Sequence, residues 1–268
     1  MPGARPMELS EIVDRYDERL RTADYADLDA SANGLQVGDA GGPGDEGGGW
    51  EIEHAAFAVD AAVETIERAA DAGADLLVTH HGLIWDGLAR VTGRDHRRIA
   101  ALIENDLALY VSHLPLDGHQ ELGNAAGVAD LLALDDRAPF GSLGPEHVGQ
   151  QGRLPGPVSG AELRERLAGG VDHEGRVRLF DFGPDAIESV GIVTGSGADW
   201  LPEAAETGLD AFVTGEGKQQ LYHDAKEFGV TAVLAGHYGT ETFGVRSLQS
   251  LATGWGVETT FLDCPTGL

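Results

Sequence analysis

The sequence predicts an α/β fold built from two similar lobes that face a shared cleft. Short apolar runs alternate with helical patterns in both halves of the chain, which is the order of βαβ units. Hydrophobic residues make up 42% of the 268 positions, enough for a sizeable core. Four of the predicted strands also end in polar or glycine-containing tails, at the strand ends where open α/β sheets bind ligands.

The first half opens with a helix and continues as alternating strands and helices. Apolar residues from Met7 to Leu20 recur at helical spacing, which predicts an amphipathic helix. Residues 39–50 contain six glycines and predict an exposed loop. Strands are then predicted at 54–60, 75–80 and 107–113, and helices at 61–72 and 95–105.

The second half repeats this pattern after a less regular stretch. Residues 135–186 are richer in glycine and proline and contain one predicted helix, at 159–167. Strands are predicted at 189–194, 210–214, 231–235 and 259–263, and helices at 200–207, 218–228 and 241–253. The predicted domains are therefore an N-terminal lobe at 1–134, a junction at 135–186 and a C-terminal lobe at 187–268.

The charge balance excludes several classes of partner. The chain has 18 Lys and Arg against 45 Asp and Glu, a formal net charge of −27. Duplex nucleic acid and anionic membranes need clustered cations, so neither is an expected partner. Such an acidic composition is typical of halophilic proteins, whose surfaces remain hydrated in high salt.

The other compositional signals favour a cytoplasmic protein. The single cysteine, Cys264, excludes an internal disulfide and a thiolate metal cluster within one chain. No apolar run approaches the roughly 20 residues of a membrane span, and no signal peptide is readable at the start of the sequence.

The polar tails contain histidines and carboxylates at suggestive spacings. His80 and His81 follow an apolar run and are followed by Gly82, which predicts a turn that brings both rings toward one centre. His237 and Glu241 are four residues apart and so share one face at a helix start. His113 and Asp117 have the same separation.

Together these side chains form a set of N and O donors without sulfur. Such a set suits Zn, Mn, Fe, Co or Ni, and a carboxylate can bridge two cations. Two bound cations lower the pKa of water and clamp attacking and leaving oxygens, which indicates hydrolysis. The alternative is that histidines in so acidic a chain are charge-paired surface residues.

Five segments in order resemble the Nif-three-like dinuclear metal-centre hexameric proteins, also named GTP cyclohydrolase 1 type 2 homologues. The segments are 31–38, 79–81, 112–117, 214–216 and 236–241, and the resemblance runs from residue 7 to 265. It implies a two-lobed subunit, a toroidal homohexamer with metals facing its cavity, and two divalent ions per chain. The implied metal ligands are His80, His81, Asp117, His237 and Glu241.

Other implied roles are less direct. His113 and Glu216 match family positions beside the metals and are the candidate catalytic residues, while His223 matches a segment of the site wall or is an exposed helical histidine. Two positions depart from the family pattern: Gly82 is often proline and Gly239 is usually alanine. Both changes affect backbone stiffness and not ligation.

The expected function is that of a cytoplasmic, dinuclear-metal-dependent hydrolase that acts through metal-bound hydroxide, with a nucleotide as the small-molecule substrate that the family name suggests. Two alternatives use the same ligands: a non-catalytic metal-binding assembly, such as a metal store, chaperone or interaction scaffold, and a dinuclear phosphoesterase. No phosphate-binding GxxxxGK[ST] or GxGxxG motif is present. The four tryptophans are scattered, which favours packing roles over base stacking.

Overall fold

The computed structural model describes residues 6–41, 49–171 and 177–268, and its fold is α/β, as predicted. The chain forms two compact units. The first unit comprises Met1–Leu116 and Val245–Cys264, and the second comprises Asp117–Gly244 and Pro265–Leu268. These bounds differ from the predicted lobes, because the second unit begins earlier and the C-terminal strand belongs to the first.

The elements are numbered in chain order. The strands are β1 (Met7–Glu8), β2 (Gly34–Val37), β3 (Glu51–Ile52), β4 (His54–Asp60), β5 (Leu76–His81), β6 (Ala108–Val111), β7 (Asp135–Leu143), β8 (Glu146–Val158), β9 (Arg178–Phe180), β10 (Ile187–Ile192), β11 (Ala211–Thr214), β12 (Thr231–Leu234) and β13 (Glu258–Phe261). The helices are α1 (Leu9–Leu20), α2 (Val63–Asp71), α3 (Gly93–Glu104), α4 (Leu114–Asp117), α5 (Asn124–Leu131), α6 (Gly160–Gly170), α7 (Leu201–Glu206), α8 (Gln219–Phe228) and α9 (His237–Trp255).

The first unit is built on a five-stranded sheet in the order β13-β4-β5-β6-β2. β13, β4, β5 and β6 are parallel, and β2 closes the edge antiparallel to β6. Parallel strands are covered on both faces, which explains why they read as continuous apolar runs. Ile66 of α2 and Leu102 of α3 are fully buried in one core cluster with Leu77 and Leu109 of the sheet. Burial of each such side chain stabilises the fold by about 1.5–3 kcal/mol.

The second unit is built on a six-stranded sheet in the order β7-β8-β10-β11-β12-β9. Its central strands β10, β11 and β12 are parallel, and antiparallel strands flank them on both sides. The core cluster joins Val190, Val213 and Val233 of the sheet to Leu163 of α6. Both units therefore place a parallel centre beneath helices, although their edges differ.

The stretch predicted as a junction, 135–186, instead carries β7, β8, α6 and β9. Its glycines suggested a linker in the sequence, but in the structure several of them lie in strands that pack closely together. A Cβ at Gly149 would lie 2.2 Å from the Ile192 carbonyl oxygen, and one at Gly152 would lie 2.9 Å from the Asp135 carbonyl oxygen. Glycine at these positions allows the strands to approach each other.

Most other element predictions agree with the structure to within a few residues. The strand predicted at 54–60 has those bounds, whereas the last long helix begins at His237 and not at 241. Of the loop predicted at 39–50, residues 42–48 lie outside the described residues. No helix in the described part of the chain is both long and apolar enough to cross a membrane.

Candidate metal-binding sites

In the first unit, the carboxyl ends of three parallel strands bring polar residues to one edge. Asp60 is the last residue of β4 and His81 is the last residue of β5, and the two are direct partners in the parallel register. His113 follows two residues after the end of β6. Parallel strands end at the same sheet edge, so side chains far apart in sequence become neighbours.

Three histidines meet at this edge. His80, His81 and His113 each offer a ring nitrogen, and these nitrogens lie within 4.8 Å of one another. The ring centroids of His80 and His81 are 4.7 Å apart, and that of His113 lies 5.1 Å and 5.6 Å from them. His80 is fully buried, and the other two rings are partly exposed. We call these residues the histidine cluster.

Each ring of the histidine cluster has an oxygen acceptor at Nδ1. The acceptors are the Ser112 carbonyl for His80, Asp60 Oδ1 for His81 and Asp29 Oδ1 for His113, each at 2.9 Å. A carbonyl or carboxylate oxygen accepts, so each neutral ring carries its hydrogen on Nδ1. The lone pair of each ring is then on Nε2, as in metal-binding histidines whose other nitrogen donates to an oxygen.

Asp29 is held by several donors. Besides His113 Nδ1, it accepts hydrogen bonds from Asn33 Nδ2 at 2.8 Å, from the Leu114 amide at 3.0 Å and from the Ser31 amide at 2.9 Å. Burial raises the pKa of Asp29, but the hydrogen bonds from His113, Asn33 and Ser31 outweigh it, and the pKa falls below its usual value. Asp29 is therefore an ionised anchor for the His113 ring.

Trp85 borders the histidine cluster. Its ring centroid is 5.0 Å from that of His113, and its Nε1 donates to the Gly82 carbonyl at 3.2 Å. The indole is 40% exposed, which places an ordered aromatic surface beside the imidazoles. Of the core or interface packing that the sequence indicated for the tryptophans, the core role does not apply to Trp85.

The second unit has its own donor set at the start of α9. His237 and Glu241 share one helix face, as their spacing predicted, and His237 Nε2 lies 3.2 Å from Glu241 Oε2. His237 Nδ1 lies 3.2 Å from Glu216 Oε1, beyond the end of β11. Burial lowers the pKa of His237, but contacts with Glu241 and Glu216 outweigh it and raise the pKa to about 9. A metal at this nitrogen would replace that proton.

Glu216 and Asp117 accept hydrogen bonds from nearby hydroxyl and amide groups. Ser196 Oγ donates to Glu216 Oε1 at 2.5 Å and lowers the pKa of Glu216, and His237 lowers it further against the effect of burial. Asp117 is buried and accepts from Asn124 Nδ2 at 2.8 Å and from Thr194 Oγ1 at 3.3 Å. We call Asp117, Glu216, His237 and Glu241 the carboxylate set.

Gly195 leaves room for the carboxylate set. A Cβ at this position would lie 2.1 Å from Glu241 Oε1 and 3.1 Å from His237 Nε2. Its φ of +56° also lies in the left-handed region that favours glycine. The chain thus passes very close to Glu241, and a side chain at position 195 would force the buried Glu241 carboxylate to move.

The structure brings some of the predicted residues together and leaves one aside. His80, His81 and His113 meet in the first unit, and His237, Glu241 and Glu216 meet in the second. His223 is exposed on α8, where its ring contacts Tyr222, which is the helical alternative considered for it. Among the described residues, the imidazole donors fit Zn, Fe or Ni, and the carboxylate donors also fit Mn.

The sequence did not identify the residues that orient these donors. Asp60 could have been found as the last residue of a strand predicted beside the histidine strand. Asp29 lies outside any strand, and Asn124 starts a helix, so neither carries a local signal. Asp29 orients His113 across 84 residues. Asn124 orients Asp117 from seven residues away and also accepts from the Gly244 amide, 120 residues along the chain.

This architecture and donor set define a class of two-unit α/β proteins with candidate metal ligands at the strand ends. Residues 7–266 match the model of the Duf34/NIF3 family, NGG1p interacting factor 3, and the chain belongs to that family. The resemblance noted in the five sequence segments is therefore confirmed.

Two relatives and one solved structure are similar to this chain over nearly its whole length. A Halobacterium salinarum protein named "GTP cyclohydrolase 1 type 2 homolog" is 55% identical over 263 residues, covering 98% of this chain and 100% of the relative. A Pyrococcus abyssi protein of the same name is 40% identical over 267 residues, again covering 98% and 100%. The crystal structure of TTHA1606 from Thermus thermophilus matches with a TM-score of 0.84 at 36% identity, covering 98% of this chain and 100% of that one.

Proposed function

We propose that the chain binds two divalent metal ions and acts as a hydrolase on a small molecule. The proposed ligands are His80, His81, Asp117, His237 and Glu241. The observation that carries this proposal is that each ring of the histidine cluster donates from Nδ1 to an oxygen and so presents Nε2. An oxygen acceptor at Nδ1 of each imidazole is the arrangement common to metal-binding histidines.

Divalent metals at these donors would supply Lewis acidity and lower the pKa of water toward neutrality. The protein's own groups would then handle protons. His113, oriented by Asp29, presents Nε2 as a proton acceptor. Glu216, kept ionised by Ser196, presents a second acceptor on a carboxylate that is partly exposed.

For the substrate, we propose a nucleotide, since relatives carry the name "GTP cyclohydrolase 1 type 2 homolog". An anionic nucleotide is repelled by a chain with a net charge of −27, so local positive charge has to offset this at the site. Bound metals would supply part of that charge.

The test of this function combines metal analysis with a nucleotide panel. The protein is loaded with Zn or Mn, its metal content is measured, and it is incubated with GTP and other nucleotides. Ring opening with two ions bound per chain supports the proposed hydrolase. Phosphate release identifies a phosphoesterase, and bound metal without any turnover identifies a metal-binding assembly. Absence of bound metal overturns the proposal.

We also propose a cytoplasmic homohexamer adapted to high salt. Six chains of charge −27 repel one another strongly at low ionic strength, where the Debye length is ~30 Å at 0.01 M, and weakly at 1 M, where it is ~3 Å. Light scattering coupled to size exclusion should therefore find a hexamer in molar salt and smaller species in dilute buffer. A monomer in molar salt would contradict the ring, and equal hexamers at both levels would show that packing controls assembly.

A further inference from the structure

A small basic region interrupts this acidic chain, next to the histidine cluster. Four of the chain's 18 basic residues lie within residues 90–98: Arg90, Arg94, Arg97 and Arg98. The same segment contains one acidic residue, Asp95. Solubility requires surface charge but not a cluster of cations. The clustering of these arginines therefore favours a role in binding.

Three of the arginines share one face of α3. Arg94, Arg97 and Arg98 are spaced i, i+3 and i+4, so their side chains leave the same side of the helix in its first two turns. Arg94 pairs with Asp95 at 3.0 Å. Within the described ranges, no acidic residue forms an ion pair with Arg97 or Arg98.

Arg98 has a partly buried guanidinium group. Its Nε is buried and has no hydrogen-bond partner among the residues that the structure describes. Burial lowers the pKa of its guanidinium, Arg94 lowers it further, and Asp95 and Asp60 act in the opposite direction. A guanidinium remains charged nevertheless, and it usually finds an anion when its donors are partly buried.

Two observations place these arginines near the candidate metal ligands. Asp60 accepts the hydrogen bond from His81 Nδ1, and the same carboxylate acts electrostatically on Arg98. Chain direction agrees with this, because α3 follows β5 in a βαβ unit and therefore starts near the carboxyl edge of the sheet. The first turns of α3, which carry the arginines, therefore lie toward the edge that holds the histidine cluster.

We propose that Arg94, Arg97 and Arg98 form a subsite for the phosphate groups of a small-molecule ligand. Guanidinium groups bind phosphate oxygens through paired, charge-assisted hydrogen bonds, which a planar fork matches well. The subsite rests on the proposed function for its role, since it would hold the anionic part of a substrate beside the metals. It would also supply the local positive charge that a phosphate ester needs to approach this chain.

The test measures binding of inorganic triphosphate and of GTP to metal-free protein, in the presence of a chelator. Without metal, the measured affinity contains no contribution from phosphate bound to metal ions, so it reports on the arginines. Arg97→Gln and Arg98→Gln should each weaken triphosphate binding about tenfold or more, as loss of a charged hydrogen bond predicts. Arg98→Lys should recover only part of the loss, because an ammonium has no fork.

Arg166→Gln is the matched control, because Arg166 is exposed on α6 of the second unit and its loss changes the net charge equally. It should leave triphosphate binding almost unchanged. Equal weakening by Arg166→Gln and Arg97→Gln would reduce the effect to general charge and overturn the subsite. Unchanged triphosphate binding in the arginine variants, with an altered oligomer by light scattering, would instead make these arginines subunit contacts.

The phosphate subsite and the proposed hydrolase function are tested by different measurements. Metal content of Arg97→Gln, measured after loading, should equal that of the unaltered protein. If neither protein binds metal, the hydrolase proposal fails while the triphosphate measurement still decides the subsite. Circular dichroism confirms that each variant is folded, and Arg97→Gln, which removes an exposed side chain, covers the case in which an Arg98 variant does not fold.

Discussion

The two units prepare metal donors in opposite ways. In the first unit, neutral imidazoles are fixed by oxygen acceptors behind them, two of which are the carboxylates Asp29 and Asp60. In the second unit, carboxylates accept hydrogen bonds, from Asn124 and Thr194 for Asp117 and from Ser196 and His237 for Glu216. In both units the orienting partner has the hydrogen-bonding role opposite to that of the group it holds: an acceptor behind each imidazole and a donor to each carboxylate.

The two donor sets also differ in charge. The histidine cluster brings nitrogen lone pairs without charge, whereas the carboxylate set brings negative charge close to the one histidine it contains. We therefore expect the carboxylate set to supply most of the electrostatic attraction for divalent cations. The histidine cluster should supply the preference for borderline metals over hard ones such as Mg.

The largest expected effect is the loss of metal when a ligand from either unit is removed. His81→Ala and Glu241→Ala should each reduce the metal content of loaded protein from two ions per chain to one or none, measured by elemental analysis. His223→Ala and Glu227→Ala, both exposed on α8, are the matched controls and should retain two ions. Full metal content in His81→Ala or Glu241→Ala would remove that residue from the ligand set.

A second test concerns the space beside the carboxylate set. Gly195→Ala should destabilise the metal-free protein by more than the ~1–2 kcal/mol that left-handed backbone costs, because its Cβ would overlap Glu241. Gly208→Ala provides the control, since its φ is +74° and nothing lies within 4 Å of the added Cβ. Thermal unfolding gives both values. Equal destabilisation would show that Glu241 moves aside at no cost.

A third test compares the orienting partners of the two units. Asp60→Ala and Asn124→Ala should each weaken metal binding about 10- to 100-fold without abolishing it. Asp60→Asn keeps an acceptor for His81 Nδ1 and should lose less. Asn124→Ala should also lower the free energy of unfolding by about 1–3 kcal/mol, because it removes the acceptor of the buried Gly244 amide. Calorimetric titration with Zn and chemical denaturation measure these two quantities.

The smallest expected effect on metal content is that of Glu216→Gln, and it separates Glu216 from His113. His113→Ala should weaken metal binding about 10- to 100-fold, as expected for a residue that orients ligands or water. Glu216→Gln should keep the full metal content, because it preserves shape and the hydrogen bond from Ser196, while any hydrolytic activity falls. Complete loss of metal in His113→Ala would make His113 a ligand and change the assignment in the first unit.

The sequence by itself determined the α/β class, most central strands and the candidate ligands that lie next to one another in the chain. Periodicity and spacing are local properties, so they placed His80 beside His81 and His237 one turn before Glu241. The shared cleft, the ligand count and the predicted hexamer stay predictions. The recognition of the family also came from sequence, since five motifs in order carry more information than any one of them.

The tertiary structure alone decided which residues stand behind the ligands and which sheet each strand joins. β13 ends the second half in sequence yet pairs with β4, and the glycines of 135–186 concealed two long strands. Asp29 reaches His113, and Asn124 reaches Gly244, through contacts that no sequence period encodes. The physical reason is that an orienting hydrogen bond needs only two complementary atoms about 3 Å apart. Such a bond can join residues at any separation along the chain, so no sequence pattern marks it.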